Sequence, residues 1–107
     1  MILEVALLDI GKGTCEEFEA AMRKAAPLIA SAPGYISHEV RRCREKANRY
    51  ILLVHWETLE AHTVGFRQSP QYAKWRALLH HFYDPFPIVE HYGEAVVSSS
   101  RPASGAS

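Results

Sequence analysis

The sequence predicts an α+β fold in which helices cover one face of an antiparallel sheet. Three observations support this prediction. Strand-like and helix-like segments follow one another over 107 residues, a length typical of a single domain. Capping and Pro-Gly signals mark the ends of the helices. Tyr50–Trp56 (YILLVHW) gives the strongest strand pattern in the chain.

The first half of the chain predicts a strand, a helix and a second strand. Residues 2–10 (ILEVALLDI) place apolar side chains on both faces of a strand. Thr14 and Glu17 have the spacing of a capping box, so a helix is expected to begin there. Pro27 should bend or end this helix, and SAPGY turns the chain into a strand over Tyr35–Cys43. The buried stripe of the helix is expected to consist of Phe18, Met22, Ala25 and Ile29.

The second half predicts a strand, two helices and a final strand. After Tyr50–Trp56, Thr58 can cap a short helix, and Ser69 with Pro70 can begin another. Residues 88–97 (IVEHYGEAVV) are the last predicted strand. The inward side chains are expected to be Leu59, His62 and Phe66 in the first helix and Tyr72, Trp75, Leu79 and Phe82 in the second.

This order of elements is that of a ferredoxin-like α+β fold, with an antiparallel sheet and helices on one face. We expect one folded domain over residues 1–98. Residues 99–107 (SSRPASGAS) are small, polar and contain proline, and we expect them to form a disordered tail.

The charge balance argues against nucleic acid and membrane partners. Twelve basic and twelve acidic residues give a net charge of zero, so no overall field attracts a polyanion. No apolar run approaches the ~20 residues needed to span a bilayer, and the N-terminus lacks the basic region of a signal peptide. Cys15 and Cys43 form no CxxC pair, so we expect reduced thiols in a cytoplasmic protein.

The strand YILLVHW also predicts a partner. Both of its faces are apolar, whereas the predicted helices can cover only one face of the sheet. We therefore expect a homodimer in which the sheets of two copies cover each other.

The stretch HWETLEAH, His55–His62, contains residue types that bind metals, but its expected geometry argues against a metal site. Metal ligands must converge on one point. His55 and Trp56 are neighbours in a strand and point to opposite faces, whereas His62 follows the inward face of a helix. Glu57 and Glu60 belong to the turn and the outer face. We expect no bound metal.

Tyr50–Trp75 (YILLVHWETLEAHTVGFRQSPQYAKW), preceded by APGYISHEV and followed by FPIVEHYGEAV, resembles the antibiotic biosynthesis monooxygenase family. The resemblance covers nearly the whole chain except the tail. It implies a dimeric α+β barrel, in which two ferredoxin-like protomers put their sheets together. The reactions of the family range from quinone formation to haem degradation, so the resemblance is more specific for the fold than for the chemistry.

The cofactor-free oxygenases of aromatic polyketide pathways align without gaps through this region. Their site tryptophan and arginine fall on Trp56 and Arg76, whereas their tyrosine becomes His62 and their strand asparagine becomes Leu52. This resemblance implies an oxygenase that needs no cofactor. In it Arg76 would stabilise the substrate anion, His62 would accept a proton, and Trp56 would orient the aromatic ring.

The haem-degrading branch of the family fits less well. Its asparagine would fall on Ala6, its tryptophan on Phe66 and its iron-binding histidine on Arg76. A protonated guanidinium cannot ligate ferric iron, so haem binding is not expected.

Each candidate residue also has a purely structural interpretation. Trp56 can fill the core or form a pocket wall, and His62 can be a hydrogen-bonded core histidine or a site residue. Arg76 lies beside an apolar stripe, so it must line a polar pocket or pair with an acid such as Glu90. Further residues expected at the pocket are Leu52, Phe66, Tyr72 and His38, with His91 as an additional candidate.

The predicted function is oxidation of a phenolic or quinone-precursor aromatic small molecule with O₂, without a cofactor. The alternative is a dimeric α+β barrel that binds a small molecule and catalyses nothing. Leu52 in place of the asparagine slightly favours the alternative, because the oxygen intermediate then has one hydrogen-bond donor fewer.

Overall fold

The computed structural model of the chain describes residues 1–102. Its elements are β1 (Ile2–Asp9), α1 (Cys15–Ala30), β2 (Tyr35–Arg42), β3 (Arg49–Trp56), a π-helical turn (Ala61–Phe66), α2 (Pro70–Leu79), a 3-10 turn (His80–Phe82) and β4 (Val89–Tyr92). The order of strands and helices is the one that the sequence predicts.

The four strands form one sheet in the order β2-β3-β1-β4, and every neighbouring pair is antiparallel. The helices α1 and α2 pack against each other on one face of this sheet. The predicted ferredoxin-like α+β fold is therefore confirmed. None of the helices within residues 1–102 is long and apolar enough to cross a bilayer.

The core lies between the helices and the inner face of the sheet. Burial alternates along β3, where Tyr50, Leu52, Val54 and Trp56 are buried and the residues between them are partly exposed. The stripe of α1 that helical spacing predicts is buried as expected, namely Phe18, Met22, Ala25 and Ile29. These apolar side chains form a single continuous core.

The start of α1 differs from the prediction. The Thr14 hydroxyl donates a 2.7 Å hydrogen bond to the Gly11 carbonyl oxygen and caps no amide of the helix. The Thr14 hydroxyl is directed toward the preceding turn, and the capping box does not form. Of the two effects expected of Pro27, it does not end the helix, because α1 continues to Ala30.

The start of α2 follows the prediction. The Ser69 hydroxyl oxygen accepts a 3.2 Å hydrogen bond from the Tyr72 amide, and Pro70 is the first helical residue. Proline is tolerated there because its missing N–H has no partner within the helix.

The last strand is shorter than predicted. It covers Val89–Tyr92, and residues 93–102 contain no helix or strand. Residues 103–107, five of the nine residues of the predicted disordered tail, lie outside the described residues.

The outer face of the sheet has no helix over it in the single chain. Leu3, Val5 and Leu7 of β1 lie there beside Leu53 and Ile51 of β3, with which β1 is paired. Leu7 is 47% exposed in the middle of this face. The centre of the outer face is therefore apolar, as the sequence of β3 indicates.

Gly34 fixes the approach of the π-helical turn to the end of α1. Its φ is +84°, in the left-handed region that glycine tolerates best. Its carbonyl oxygen accepts a 2.8 Å hydrogen bond from the Glu57 amide. A Cβ atom at this position would lie 2.6 Å from the Cβ atom of Ala61, the first residue of the turn.

We predict that Gly34→Ala lowers the free energy of unfolding by more than Gly13→Ala does. Both glycines have positive φ, which costs other residues about 1–2 kcal/mol, but a Cβ at Gly13 meets no atom within 4 Å. Chemical denaturation of the two variants isolates the clash at Gly34. In an Ala61→Gly background the cost of Gly34→Ala should fall to that of Gly13→Ala, and equal costs in both backgrounds would contradict the clash.

Candidate active site

A cavity of about 390 Å³ lies between the inner face of the sheet and the π-helical turn, α2 and the segment before β4. Cavities of this size accommodate small-molecule ligands. Much of the wall is apolar, with Leu52, Phe66 and Trp75 among its residues. Its polar side chains are Glu4, His62, Arg67, Tyr72, His80 and Tyr83.

Glu4 is a carboxylate on the core-facing side of a central strand. It is 4% exposed, and one of its carboxylate oxygens accepts a 2.9 Å hydrogen bond from the indole N–H of Trp56. The same oxygen lies 3.4 Å from Nε2 of His62. Burial raises the pKa of Glu4, while the Trp56 hydrogen bond and the charge of Arg67 lower it. A group of this kind can hold or release a proton inside the cavity.

His62 is placed by the π-helical turn. The Arg67 amide donates to the His62 carbonyl oxygen at 3.2 Å, a hydrogen bond that spans five residues. The ring of His62 stacks on Trp56, with centroids 5.2 Å apart and an interplanar angle of 18°. Burial, followed by the charges of Arg67 and His91, lowers the pKa of His62 to about 3. The imidazole is therefore neutral at pH 7.

The low pKa alters the role expected for His62. A group that becomes protonated only near pH 3 is a weak proton acceptor at neutral pH. Glu4, whose pKa is raised, is the stronger acceptor at this site. The Nδ1 atom of His62 lies 2.8 Å from Nε2 of His91, which extends the polar network to β4.

Trp56 is completely buried behind His62 and Glu4 and does not line the cavity. Its indole N–H donates to Glu4, so that hydrogen is not free for a substrate oxygen. The sequence left open whether Trp56 fills the core or forms a pocket wall, and in the structure it fills the core.

The structure does not bring Arg76 into the cavity, contrary to the position expected from the resemblance. Its side chain is exposed on α2, between the turns that carry Tyr72 and His80, both of which line the cavity. It forms no ion pair with Glu90 or any other acid within residues 1–102. The cation that does line the cavity is Arg67.

Three of the four additional pocket residues expected from the sequence line the cavity, namely Leu52, Phe66 and Tyr72. His38 does not. It lies on β2, at the edge of the sheet opposite to β4, and its Nδ1 is 2.6 Å from the hydroxyl of Tyr35. An irregularity between Tyr35 and Ser37 also breaks its expected parity with Ile36, which is 46% exposed.

Tyr83 is a cavity residue that the sequence did not reveal. Burial raises the pKa of its phenol, with smaller contributions from Tyr72 and Glu4. The hydroxyl therefore stays protonated at neutral pH and can donate a hydrogen bond to a bound oxygen atom. Within residues 1–102, no group of three or more His, Cys, Asp or Glu side chains is arranged to hold a metal ion.

We predict that His62→Phe flattens the acid side of the stability profile. The pKa of His62 is about 3 when folded and 6.5 otherwise, so between these values the unfolded chain binds more protons. The stability from neutral His62 is complete above pH 6.5 and decreases as pH falls toward 3. Urea unfolding at several pH values should show a smaller loss on acidification for His62→Phe than for the wild type.

The exposed His81→Phe serves as the matched control and should retain the wild-type profile. Some slope will remain in His62→Phe, because burial also lowers the pKa of His38, His80 and His91. Parallel profiles for the wild type and His62→Phe would contradict the assignment of a low pKa to His62.

Comparison with known proteins places the chain in a family. The family model described as antibiotic biosynthesis monooxygenase matches residues 1–78. The uncharacterized protein YczJ of Bacillus subtilis is 54% identical over 92 residues, which are 86% of this chain and 97% of YczJ.

Solved structures agree with this assignment. A Bordetella bronchiseptica protein, provisionally named an antibiotic biosynthesis monooxygenase, is 35% identical and superimposes with a TM-score of 0.84 over 89% of this chain and 97% of its own. SnoaB, a cofactor-independent oxygenase from Streptomyces nogalater, shares the fold at 22% identity, with a TM-score of 0.68 over 95% of this chain and 97% of SnoaB. The chain belongs to the antibiotic biosynthesis monooxygenase family.

Proposed function

We propose that the protein is a cofactor-independent monooxygenase that oxidises a phenolic or quinone-precursor aromatic small molecule with O₂. The observation that carries the proposal is the position of Glu4, a buried carboxylate on the wall of a cavity large enough for a small molecule. A buried acid with a raised pKa in a cavity is typical of a proton-transfer site.

The walls of the cavity favour an aromatic ligand. Phe66, Tyr72 and Trp75 surround it with ring faces and edges, and Phe66 packs edge-on against the other two. Aromatic rings prefer such offset and edge-to-face neighbours. A flat phenolic polycycle would bury its carbon skeleton against these residues and place its oxygen atoms near the polar side chains.

The proposed reaction begins with proton transfer from the substrate to Glu4. The resulting carbanion gives one electron to O₂, and the substrate radical and superoxide recombine as a peroxide. Protonation yields a hydroperoxide, and loss of water leaves a carbonyl group, so that one oxygen atom enters the product and the other leaves as water. The substrate supplies all of the electrons.

The charge that develops during this reaction needs stabilisation. Arg67 lines the cavity and lowers the pKa of Glu4 through its positive charge, so it would also stabilise a substrate phenolate. Tyr83 would donate a hydrogen bond to the peroxide, a contact that Leu52 cannot make.

The alternative function is binding of a small apolar molecule without catalysis. Two observations favour it. Leu52 lines the cavity where the related oxygenases are expected to have an amide, and Arg76 points to solvent instead of into the cavity. Under this alternative, Glu4 would only hydrogen-bond a ligand hydroxyl.

We predict that a screen of phenolic polycycles under metal-free conditions will find a compound that supports oxygen uptake. Glu4→Gln should reduce turnover by ~10²-fold or more, because the amide cannot accept the proton. Binding of the same compound, followed by Trp fluorescence, should change much less. Binding without oxygen uptake in the wild type would support the alternative function.

The two arginines form a matched pair in the same assay. Arg67→Ala should slow turnover by ~10²-fold, since a cation that stabilises the developing anion is lost. Arg76→Ala should leave turnover near the wild-type value, because this side chain is exposed outside the cavity. The reverse ranking would show that Arg76 has the role implied by the resemblance and Arg67 does not.

We also propose that the protein is a homodimer that packs sheet against sheet. Leu3, Val5, Leu7, Ile51 and Leu53 give the outer face an apolar centre without a helix over it. Removing such a surface from water is favourable by roughly 25 cal/mol per Å². A second copy of the sheet has the matching apolar face.

We predict that Leu7→Lys shifts this dimer toward monomers in sedimentation velocity at micromolar concentration. Val64→Lys is the matched control, since Val64 is also 47% exposed but lies on the π-helical turn. It should leave the dimer intact. A wild-type monomer, or a dimer that Leu7→Lys does not weaken, would exclude assembly through the sheets.

A further inference from the structure

His91 connects the buried polar groups to the edge of the sheet. It lies on β4 directly opposite Glu4 of β1, and its Nε2 is 2.8 Å from Nδ1 of His62. Glu4 and His62 are each 4% exposed, whereas His91 is only partly buried. The two rings lie 5.0 Å apart, centroid to centroid.

The contacts of His62 restrict where its proton can be. A neutral imidazole has one nitrogen that donates and one that accepts. Nε2 of His62 lies 3.4 Å from the Glu4 carboxylate, and Nδ1 faces His91. If Glu4 is ionised, it can only accept, so the favourable tautomer of His62 has its proton on Nε2. Nδ1 is then a bare acceptor and must receive a hydrogen bond from His91.

The opposite tautomer has the opposite consequence for Glu4. With the proton on Nδ1, Nε2 of His62 has a bare lone pair, 3.4 Å from the carboxylate oxygen. Two lone pairs in a buried site repel each other, and the repulsion is relieved when Glu4 takes up a proton. The proton position on His62 and the ionisation of Glu4 are therefore coupled.

We propose that His91 is a positioning residue: by donating from Nε2 to Nδ1 of His62, it holds His62 in the Nε2–H tautomer and keeps Glu4 available as a carboxylate. His91 need not touch a substrate for this role. The inference deepens the proposed function, which uses Glu4 as the proton acceptor, but the tautomer and the ionisation can be measured without any substrate.

The other groups around Glu4 cannot make this selection. Arg67 is a permanent cation and favours the ionised carboxylate whichever tautomer His62 adopts. The Trp56 N–H donates to Glu4 in both cases. The remaining polar groups of the cavity are the neutral phenol of Tyr83, the hydroxyl of Tyr72 and His80, whose pKa is lowered by burial and Arg76. None of these three is hydrogen-bonded to His62 within residues 1–102.

The test is an NMR titration of isotopically labelled protein. Carboxyl ¹³C shifts report the ionisation of Glu4, and ring ¹⁵N shifts report the tautomer of His62. The wild type should show the proton of His62 on Nε2. His91→Leu removes the donor, so a fraction of His62 should move its proton to Nδ1, and Glu4 should titrate at a pH higher by about one unit. This shift matches the loss of one hydrogen bond to a charged network.

His91→Gln tests whether the donated hydrogen bond is what matters. Its amide can donate to Nδ1 of His62, so this variant should restore both the wild-type tautomer and the wild-type titration of Glu4. A purely structural role would lower the melting temperature of both variants without moving the Glu4 titration. His81→Leu, at an exposed histidine, should change none of these quantities.

Two results would overturn the inference. The first is a wild-type protein in which His62 carries its proton on Nδ1, which can be read even if His91→Leu fails to fold. The second is a folded His91→Leu variant in which Glu4 titrates as in the wild type. The expected tautomer and shift in a protein without oxygen uptake would support the inference and remove only the proposed function.

Discussion

The site depends on one buried charge-bearing group, the carboxylate of Glu4. It lies on a central strand, paired with Val54 on one side and His91 on the other, so it cannot leave the core without breaking the sheet. An isolated carboxylate in such a place is very unfavourable. The indole N–H of Trp56 and the nearby charge of Arg67 offset part of that cost. His62, whose Nε2 lies 3.4 Å from the carboxylate, completes the polar surroundings of this group.

Much of the fold follows from periodicity. Three local patterns in the sequence correctly predicted parts of the fold. They are the buried stripe of α1, the alternating burial along β3 and the Ser69-Pro70 start of α2. The predictions that differ concern features that a local pattern does not determine. Thr14 has a competing partner in the preceding turn, and the length of β4 depends on how much of β1 remains to be paired.

The residues of the cavity were harder to predict from the sequence than the fold was. Glu4 shares its strand parity with Ala6 and Leu8, so its burial could have been inferred once the inner face of β1 was known. Arg67 could not be placed in this way, because the preceding turn is π-helical and helical spacing of 3.6 residues gives the wrong direction. The resemblance led to Arg76, whose backbone position flanks the cavity although its side chain leaves it.

The number of residues in the π-helical turn helps to determine which side chains face the cavity. The hydrogen bonds of a π-helical turn span five residues, whereas those of an α-helical turn span four. Deleting one residue between His62 and Arg67 would let the turn close as an α-helical one, and the direction of the Arg67 side chain relative to His62 would change by about 100°. No single substitution has this effect. In proteins with this architecture, insertions and deletions in the turn can therefore exchange the cation that faces the cavity while every strand of the sheet keeps its sequence.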